Sequence, residues 1–522
     1  MERTTLSDTI QKLTEVVGKN NISLDTSEFS TDLFHEGKSP RAVVSPISTE
    51  QIPPIVKIIN KGKFSIIPRG GGLSYTGGYV SSKGASIIID TRLLSSIIEI
   101  NETDMFVTVE SGVTWESLRR KLQEKKLRTP FWGTGSGKYA TVGATISQNA
   151  INYGSGQYGF AAQSVLGLEV VTANGNIIQT GSKSSTKVSS PFMRQLGPDL
   201  TSLFIGDCGA LAIKSKITLQ LVPLPKTILF GAYEYKNLSD FCDSLSDLAR
   251  QQVVSECFGF NPEFMRTRTT YKTFAEKYSF LKLFIKSNKS IIRKIMSIIT
   301  LVVNDHKKIE TLNYSIHFCV EGRDRKHAQL MLKEAKRILE PNGKMISEII
   351  PKVMREMPFP EPMMTIGKDG ERWVPVHGIV PHSEFLKTVR DIYEFMSSNR
   401  ILLETHGINW SLSAMPAGPS GILIEPNLYW QDEYPEMLRK YFRDDYLDNQ
   451  KKHKKNVHVR HIVHKLRKDL VRVFESHNSV HMQIGRFYPF RENQHQYPLQ
   501  IIRKLKAELD PMNIMNPGAL GL

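Results

Sequence analysis

The run Pro68-Arg-Gly-Gly-Gly-Leu-Ser-Tyr-Thr-Gly-Gly78 places five glycines within eleven residues, directly after the strand-like Phe64-Ser-Ile-Ile-Pro. Without Cβ atoms, consecutive backbone N–H groups can turn through positive φ and converge on phosphate oxygens. The spacing is not G-x-G-x-x-G, and no lysine follows as a Walker loop requires, so Rossmann and P-loop readings fail. Taken alone, the run fits a structural turn as well as a diphosphate cradle.

Two further clusters narrow the choice. Pro130-Phe-Trp-Gly-Thr-Gly-Ser-Gly137, Thr141-Val-Gly-Ala-Thr-Ile-Ser-Gln-Asn149 and Tyr153-Gly-Ser-Gly-Gln-Tyr-Gly159 interleave small residues with hydroxyl and amide groups. They offer a surface that a large flat ligand can approach. Gly197 to Gly206 then runs through Gly209 into an alternating strand, Ile213–Leu221. Three such clusters in this order are far more specific than one.

Around them, strands alternate with helices. Ala42–Ile47, Phe64–Pro68, Ser86–Asp90, Met105–Glu110 and Gly167–Thr172 read as strands, and Ile52–Asn60 and Trp115–Lys126 as helices. Pro223 and Pro225 close this part, and longer helices such as 324–340 and 383–399 follow. The chain is long enough for several cores. The expected division is α+β: a first domain over 1–225, an α/β second domain over 226–480, and a segment over 481–522 that returns to the first.

With these motifs in this order, the sequence resembles the FAD-linked oxidase superfamily of vanillyl-alcohol oxidase and p-cresol methylhydroxylase (PCMH). The resemblance spans residues 40–225 and the tail LKAELDPMNIMNPGAL. It implies a two-lobed PCMH-type FAD-binding domain and a cap, or substrate, domain over the isoalloxazine. By position, Arg69, Gly70, Gly71, Gly72, Leu73 and Ser74 would hold the diphosphate. Thr141, Val142, Gly143, Ala144 and Asn149 would line the cofactor channel. Gly159 would turn beside it, Ile213 would pack on it and Asn516 would reach back toward it. Relatives that attach flavin covalently carry a histidine where Leu73 stands, so non-covalent FAD is expected. Cys208 replaces a glutamate usual in the third cluster, which bears on contacts to the adenine half.

For chemistry, the cap offers His377, in Trp373-Val-Pro-Val-His377, and the stretch His481-Met-Gln-Ile-Gly-Arg486-Phe-Tyr488. If Trp373–Val380 is one strand, His377 shares a face with Trp373 and Pro375. Arg486 and Tyr488 lie where related enzymes place an Arg/Tyr pair on a phenolate or carboxylate, and a guanidinium suits an anionic oxygen. His377, His481 or a tyrosinate could serve as base. Ordinary core residues are the alternative at each position. The implied activity is hydride transfer from a small alcohol, phenol or hydroxy acid to flavin. Alternatives are a 2-hydroxy-acid dehydrogenase, like D-lactate or glycolate enzymes, serving a membrane acceptor, and a catalytically silent flavoprotein subunit. The acceptor stays open between oxygen, quinone and cytochrome, and so does homo-oligomerisation.

The net charge of +16 is local. Residues 279–308 hold seven Lys/Arg and one acid, and 451–472 hold nine and one. Each borders an apolar helical stripe: Ile291, Ile295, Ile298 and Val302 in the first, Ile462, Leu466, Leu470 and Phe474 in the second. That pattern suits peripheral contact with an anionic membrane, or a solvated cap surface with a core-facing stripe. No nucleic-acid motif accompanies the charge. Four scattered cysteines exclude a disulfide framework and a cysteine zinc site, and no metal is expected. With no secretory leader recognisable in the first residues, the expected location is cytoplasmic, or peripheral on the inner face of a membrane.

Overall fold

The computed structural model describes residues 5–268, 311–360, 366–367, 369–441 and 453–522. Its first lobe pairs helices α1 (Leu6–Val17) and α2 (Ile52–Lys61) with strands β1 (Ile22–Ser23), β2 (Ala42–Val44), β3 (Ser65–Arg69) and β4 (Ser86–Asp90). The sheet order is β1-β2-β4-β3, with β4 parallel to both of its neighbours. Parallel strands are covered on both faces and therefore read as unbroken apolar runs, as Ile87-Ile-Ile89 does. In α2 the proline pair occupies the first turn, where no N–H partner is lost. Its stripe Ile52, Ile55, Val56 and Ile59 is fully buried against Val44, Ile66, Ile87 and Ile89. Each such side chain contributes about 1.5–3 kcal/mol.

The second lobe is an antiparallel sheet of β5 (Ile97–Asn101), β6 (Phe106–Glu110), β7 (Val165–Val171), β8 (Ile177–Gln179) and β9 (Ile213–Gln220), in the order β5-β6-β9-β7-β8. Helices α3 (Trp115–Glu124) and α4 (Val142–Gln148) cover it. The indole N–H of buried Trp115 donates to Thr145 Oγ1 at 2.8 Å and locks the two helices together.

From Thr227 onward a larger antiparallel sheet forms. Its strands are β10 (Thr227–Tyr235), β11 (Glu256–Phe260), β12 (Tyr314–Gly322), β13 (Lys344–Met345), β14 (Arg372–Pro375), β15 (Gly378–Pro381), β16 (Asn409–Pro416) and β17 (Gly421–Trp430). The order is β13-β10-β12-β11-β16-β17-β14, and β15 also pairs with β17. One face packs on α5 (Leu238–Gln251), α6 (Arg325–Leu339), α8 (His382–Ser398) and α9 (Val457–Glu475). The other sets Phe258, Phe260, Met415 and Leu423 into one core with Trp132, Tyr153 and Val142 of the second lobe. A short helix, α7 (Ile349–Glu356), carries Arg355 to that seam. After α10 (Gln496–Leu509) the tail runs back to the first lobe, where Met515 bridges Ile66 of β3.

One open alternative is decided and one expectation is corrected. The stripe of α9 does not face a bilayer, because Leu466, Leu470 and Phe474 are buried in the cap core. An amphipathic helix buries whichever core lies nearest, and that core is the chain's own. The run Trp373–Val380 is not one strand: it breaks between β14 and β15, and the His377 N–H leaves the sheet ladder to donate to Tyr488 Oη at 2.9 Å. The basic run 279–308 lies outside the described residues. No described helix is long and apolar enough to cross a membrane, and all four cysteines are free and buried.

Candidate functional site

The end of β3 delivers the glycine loop to the groove between the lobes. An added Cβ at Gly70 would lie 2.3 Å from Thr141 Oγ1, and one at Gly71 would lie 2.3 Å from the Tyr139 carbonyl oxygen. Gly72 has φ +72°, and its missing Cβ leaves room for the Arg69 guanidinium. The N–H groups of Gly70, Gly71, Gly72 and Leu73 make no hydrogen bond among the described residues. Folded backbone leaves few donors unpaired, so four in succession are donors left free for an anion. The Tyr441 hydroxyl donates to the Gly71 carbonyl at 2.6 Å, so the loop's acceptor side is closed off. Leu73 packs in a small apolar group with Leu33, Tyr75 and Tyr441.

Arg69, expected on the diphosphate, is turned the other way. Its guanidinium donates to the carbonyls of Phe29, Tyr79, Glu28 and Thr31. It shapes the loop from behind. At α4 the first N–H groups are also engaged: Val142 donates to Val113 O, Gly143 to Ser111 O and Ala144 to Thr141 Oγ1. These residues therefore contribute wall rather than donors. Asn149 ends α4 in the left-handed region, and its Oδ1 accepts from Ala162 N–H at 3.1 Å. Gly159 has φ +77°, and Ile213 is buried at the start of β9 beside Met515. The Ser74 hydroxyl pairs with Thr76 Oγ1 inside the loop.

The tail closes the floor. Asn516 Nδ2 donates to the carbonyls of Gly78 and Cys208, and its Oδ1 accepts from Arg486 Nη2 at 2.6 Å. The Cys208 sulfur accepts from Gly485 N–H at 3.2 Å. Burial pushes its thiol up to about 11, so it stays protonated and inert.

Arg486 does not form the expected pair with Tyr488. Its guanidinium donates to Gly77 O, Val80 O, Pro517 O and Asn516, tying the glycine loop to the tail. Tyr488 instead joins two histidines. His377 Nε2 lies 2.8 Å from the Met482 carbonyl and must carry the proton there, since a carbonyl only accepts. His377 Nδ1 then accepts from Tyr488 Oη at 3.2 Å, while Oη accepts the His377 N–H. Burial holds the His377 imidazole down to about 3, and both nitrogens are partnered, so it orients rather than titrates.

His481 is different. Its ring stacks on Tyr488, with centroids 4.4 Å apart. Nδ1 lies 2.7 Å from the His377 carbonyl, which fixes the proton there and leaves Nε2 as a lone pair. That Nε2 is buried and has no hydrogen-bond partner among the described residues. Burial lowers the imidazole's pKa. Two residues on, Gln483 N–H donates to Gln148 O at the end of α4, so the His481 segment lies at the seam against that helix.

Three residues in this region carry no motif. Trp373 meets Tyr75 of the glycine loop edge-on at 5.1 Å and donates to Asn427 Oδ1 at 2.7 Å. Glu425 shares the Asn427 face of β17 and raises the Tyr488 hydroxyl further, after burial. Arg467, fully buried on α9, lies 3.9 Å from the Phe487 ring centre and donates to Tyr75 O at 2.8 Å. Glu425 and Asn427 alternate with Ile424 and Leu428 of the helix-facing core along Gly421–Trp430, a period-2 signal the sequence carried; nothing local marked Arg467.

Residues 40–181 match the family model described as an FAD binding domain. The chain is 31% identical over 257 residues to the glycolate oxidase subunit GlcD of Bacillus subtilis, covering 48% of this chain and 53% of that protein. It is 30% identical to a D-lactate dehydrogenase of Anaerostipes hadrus, covering 48% and 52%. The matches thus span about half the length of these relatives. Among solved structures, p-cresol methylhydroxylase with substrate bound superposes at a TM-score of 0.74 with 16% identity, covering 99% of this chain and 96% of that one. A 4-ethylphenol oxidase from Gulosibacter chungangensis gives a TM-score of 0.69, also at 16% identity, covering 99% and 97%.

Proposed function

We propose that the chain is a member of the FAD-linked oxidase superfamily and that it oxidises a small hydroxy compound, with a 2-hydroxy acid as the leading class. The four unpaired N–H groups of Gly70–Leu73 suit the FAD diphosphate, and the walls at Thr141–Asn149 suit its flat remainder. Leu73 offers no nucleophile, so the flavin is held non-covalently. We divide the chain at 225 and 480 into FAD domain, cap and returning segment.

The single observation that carries the catalytic reading is the unpartnered lone pair on His481 Nε2. FAD, when bound, supplies the hydride acceptor. The protein supplies the rest. His481 Nε2 accepts the substrate hydroxyl proton, and the His377 carbonyl holds Nδ1–H so that the tautomer cannot reverse. Tyr488, fixed by His377, keeps the His481 ring in place from its face. Asn427, Glu425 and Trp373 offer polar positions on the opposite wall. The 2-hydroxy acid is favoured over a phenol because the more identical relatives are named for glycolate and D-lactate.

Anaerobic mixing of the yellow protein with glycolate, D-lactate, simple alcohols and phenols tests this. Bleaching of the flavin by a hydroxy acid is the expected result. A folded protein that takes up no FAD, or whose flavin no member of the panel bleaches, overturns it. In His481→Ala we expect FAD content to persist and the bleaching rate to fall about 10²–10⁴-fold. Stopped-flow reoxidation by oxygen, a quinone analogue and cytochrome then identifies the acceptor. Any contact with an anionic surface falls to exposed basic groups of the 451–472 run, since the α9 stripe is buried; liposome sedimentation at low salt tests it.

A further inference from the structure

Among the buried and half-buried cations of this protein, two groups contrast. One group faces carboxylates in balanced sets. Arg128 and Arg355 face Glu256 and Glu321; Arg372 and Arg460 face Asp432 and Glu36; Arg92 and Lys440 face Asp90 and Glu28. Three others face none. Arg69, Arg467 and Arg486 make no ion pair among the described residues, and all three donate to carbonyls in or around the glycine loop. They come from three separate parts of the chain: the loop, the cap helix α9 and the returning tail. Nε and Nη1 of Arg467 and Nε of Arg486 are buried with no hydrogen-bond acceptor among the described residues, the Arg467 guanidinium lying over the Phe34 and Phe487 rings.

One buried carboxylate, Asp32, acts on all three, and it already accepts from the N–H groups of Phe34, His35 and Gly77. Arg69 also feels Glu28, but Glu28 is already paired with Arg92 and Lys440, so the three cations outnumber the carboxylate they share. Burial lowers the pKa of each of the three guanidinium groups, because desolvation disfavours the charged form. An uncompensated buried charge is destabilising unless an anion completes the set.

We propose that Arg69, Arg467 and Arg486 form a charge reserve for the cofactor, and that the doubly negative diphosphate of FAD is its counter-ion. The carbonyl contacts hold in place the loop whose Gly70–Leu73 N–H groups stay unpaired among the described residues and free for that anion. Arg467 is the most revealing member, having one hydrogen bond and two unpaired nitrogens. This inference rests on the FAD reading and goes beyond it: it assigns part of the cofactor's affinity to side chains that do not touch the phosphates, and it makes the charge, rather than the flavin ring, the stabilising part of the ligand.

Melting of the flavin-free full chain, with added FAD, ADP, inorganic pyrophosphate or riboflavin, tests the proposal. FAD, ADP and pyrophosphate are expected to raise the melting point and riboflavin to leave it nearly unchanged. In Arg467→Gln the flavin-free protein should melt no lower than wild type, the pyrophosphate-induced rise should shrink, and FAD affinity should fall about tenfold or more. Arg467→Lys, which keeps the charge, should retain most of the rise. If FAD binds wild type but neither pyrophosphate nor ADP raises its melting point, the charge reserve is refuted while the FAD reading stands. If Arg467→Gln lowers the flavin-free and FAD-loaded proteins equally, Arg467 is only a structural pin and the proposal also fails. Failure of wild type to bind FAD at all overturns the underlying reading instead.

Discussion

His377 and His317 are fully buried, and desolvation brings both imidazoles down from 6.5 to about 3. Between these values the unfolded chain binds a proton that the folded chain refuses. Stability is therefore fully present above about pH 6.5 and is lost as the pH falls toward 3, at ~1.4 kcal/mol per pH unit for each histidine. Urea unfolding at pH 7.5, 6 and 5 should show that decline, and His377→Gln should remove one histidine's share of the slope. An unchanged slope would refute the buried neutral state. Tyr488→Phe is the complementary test. It strips the buried His377 N–H of its acceptor and His377 Nδ1 of its donor, so a loss of about 1–3 kcal/mol is expected. The His481 stack survives this change, because a phenyl ring still faces it. Flavin bleaching should accordingly slow less than in His481→Ala.

At the scale of elements, the glycine loop gives the cleanest discrimination. Gly71→Ala would drive a Cβ to within 2.3 Å of the Tyr139 carbonyl, which is backbone and cannot swing aside. We expect FAD uptake, followed by quenching of flavin fluorescence, to weaken at least tenfold while circular dichroism stays unchanged. Gly84→Ala meets nothing within 4 Å and should bind FAD as wild type does; equal behaviour of the two variants would show that loop geometry does not set affinity. This element was legible because its signal is local: a strand, then residues without Cβ. The stripe of α2 was legible for the same reason, since periodicity alone decides which side is buried. The stripe of α9 was just as visible, but its partner was not. Apolar spacing states that a face will be covered, not whether by a bilayer or by β15 and α8. His377 shows the same limit at a strand: alternation predicted its face, yet its N–H leaves the ladder for the hydroxyl of Tyr488, far along the chain, and the strand breaks there. Arg486 was read by its place beside Tyr488, whereas the three-dimensional neighbours of a guanidinium are carbonyls brought from the loop and tail.

For the whole molecule, the joint between FAD domain and cap is electrostatic as well as apolar. Arg355 of the cap lies 2.7 Å from Glu256 and 2.6 Å from Glu321, and Glu321 also binds Arg128 of the FAD domain. Trp132 of the FAD domain lies under the Arg355 guanidinium at 4.7 Å and donates its indole N–H to Glu256. Four charges from positions scattered between 128 and 355 thus balance two against two around one aromatic ring, an arrangement that no sequence window contains. Balanced buried sets of this kind add little over an apolar isostere, but removing one member is costly, because its partner stays buried and charged. Burial alone would raise the Glu256 carboxyl; the Arg355 charge overcomes this and keeps it ionised. Arg355→Met should therefore destabilise by about 3–5 kcal/mol at pH 7, read as a lower urea midpoint for the FAD-loaded protein. Without its cation, Glu256 should take up a proton as the pH falls, so the difference between variant and wild type should narrow in acid. Adding Glu256→Gln should recover part of the loss at pH 7, since the coupling between contacting charges is not additive. If the double variant is instead as unstable as the two single losses summed, the seam is held by packing around Trp132 and Phe359, and the ion set is incidental to it.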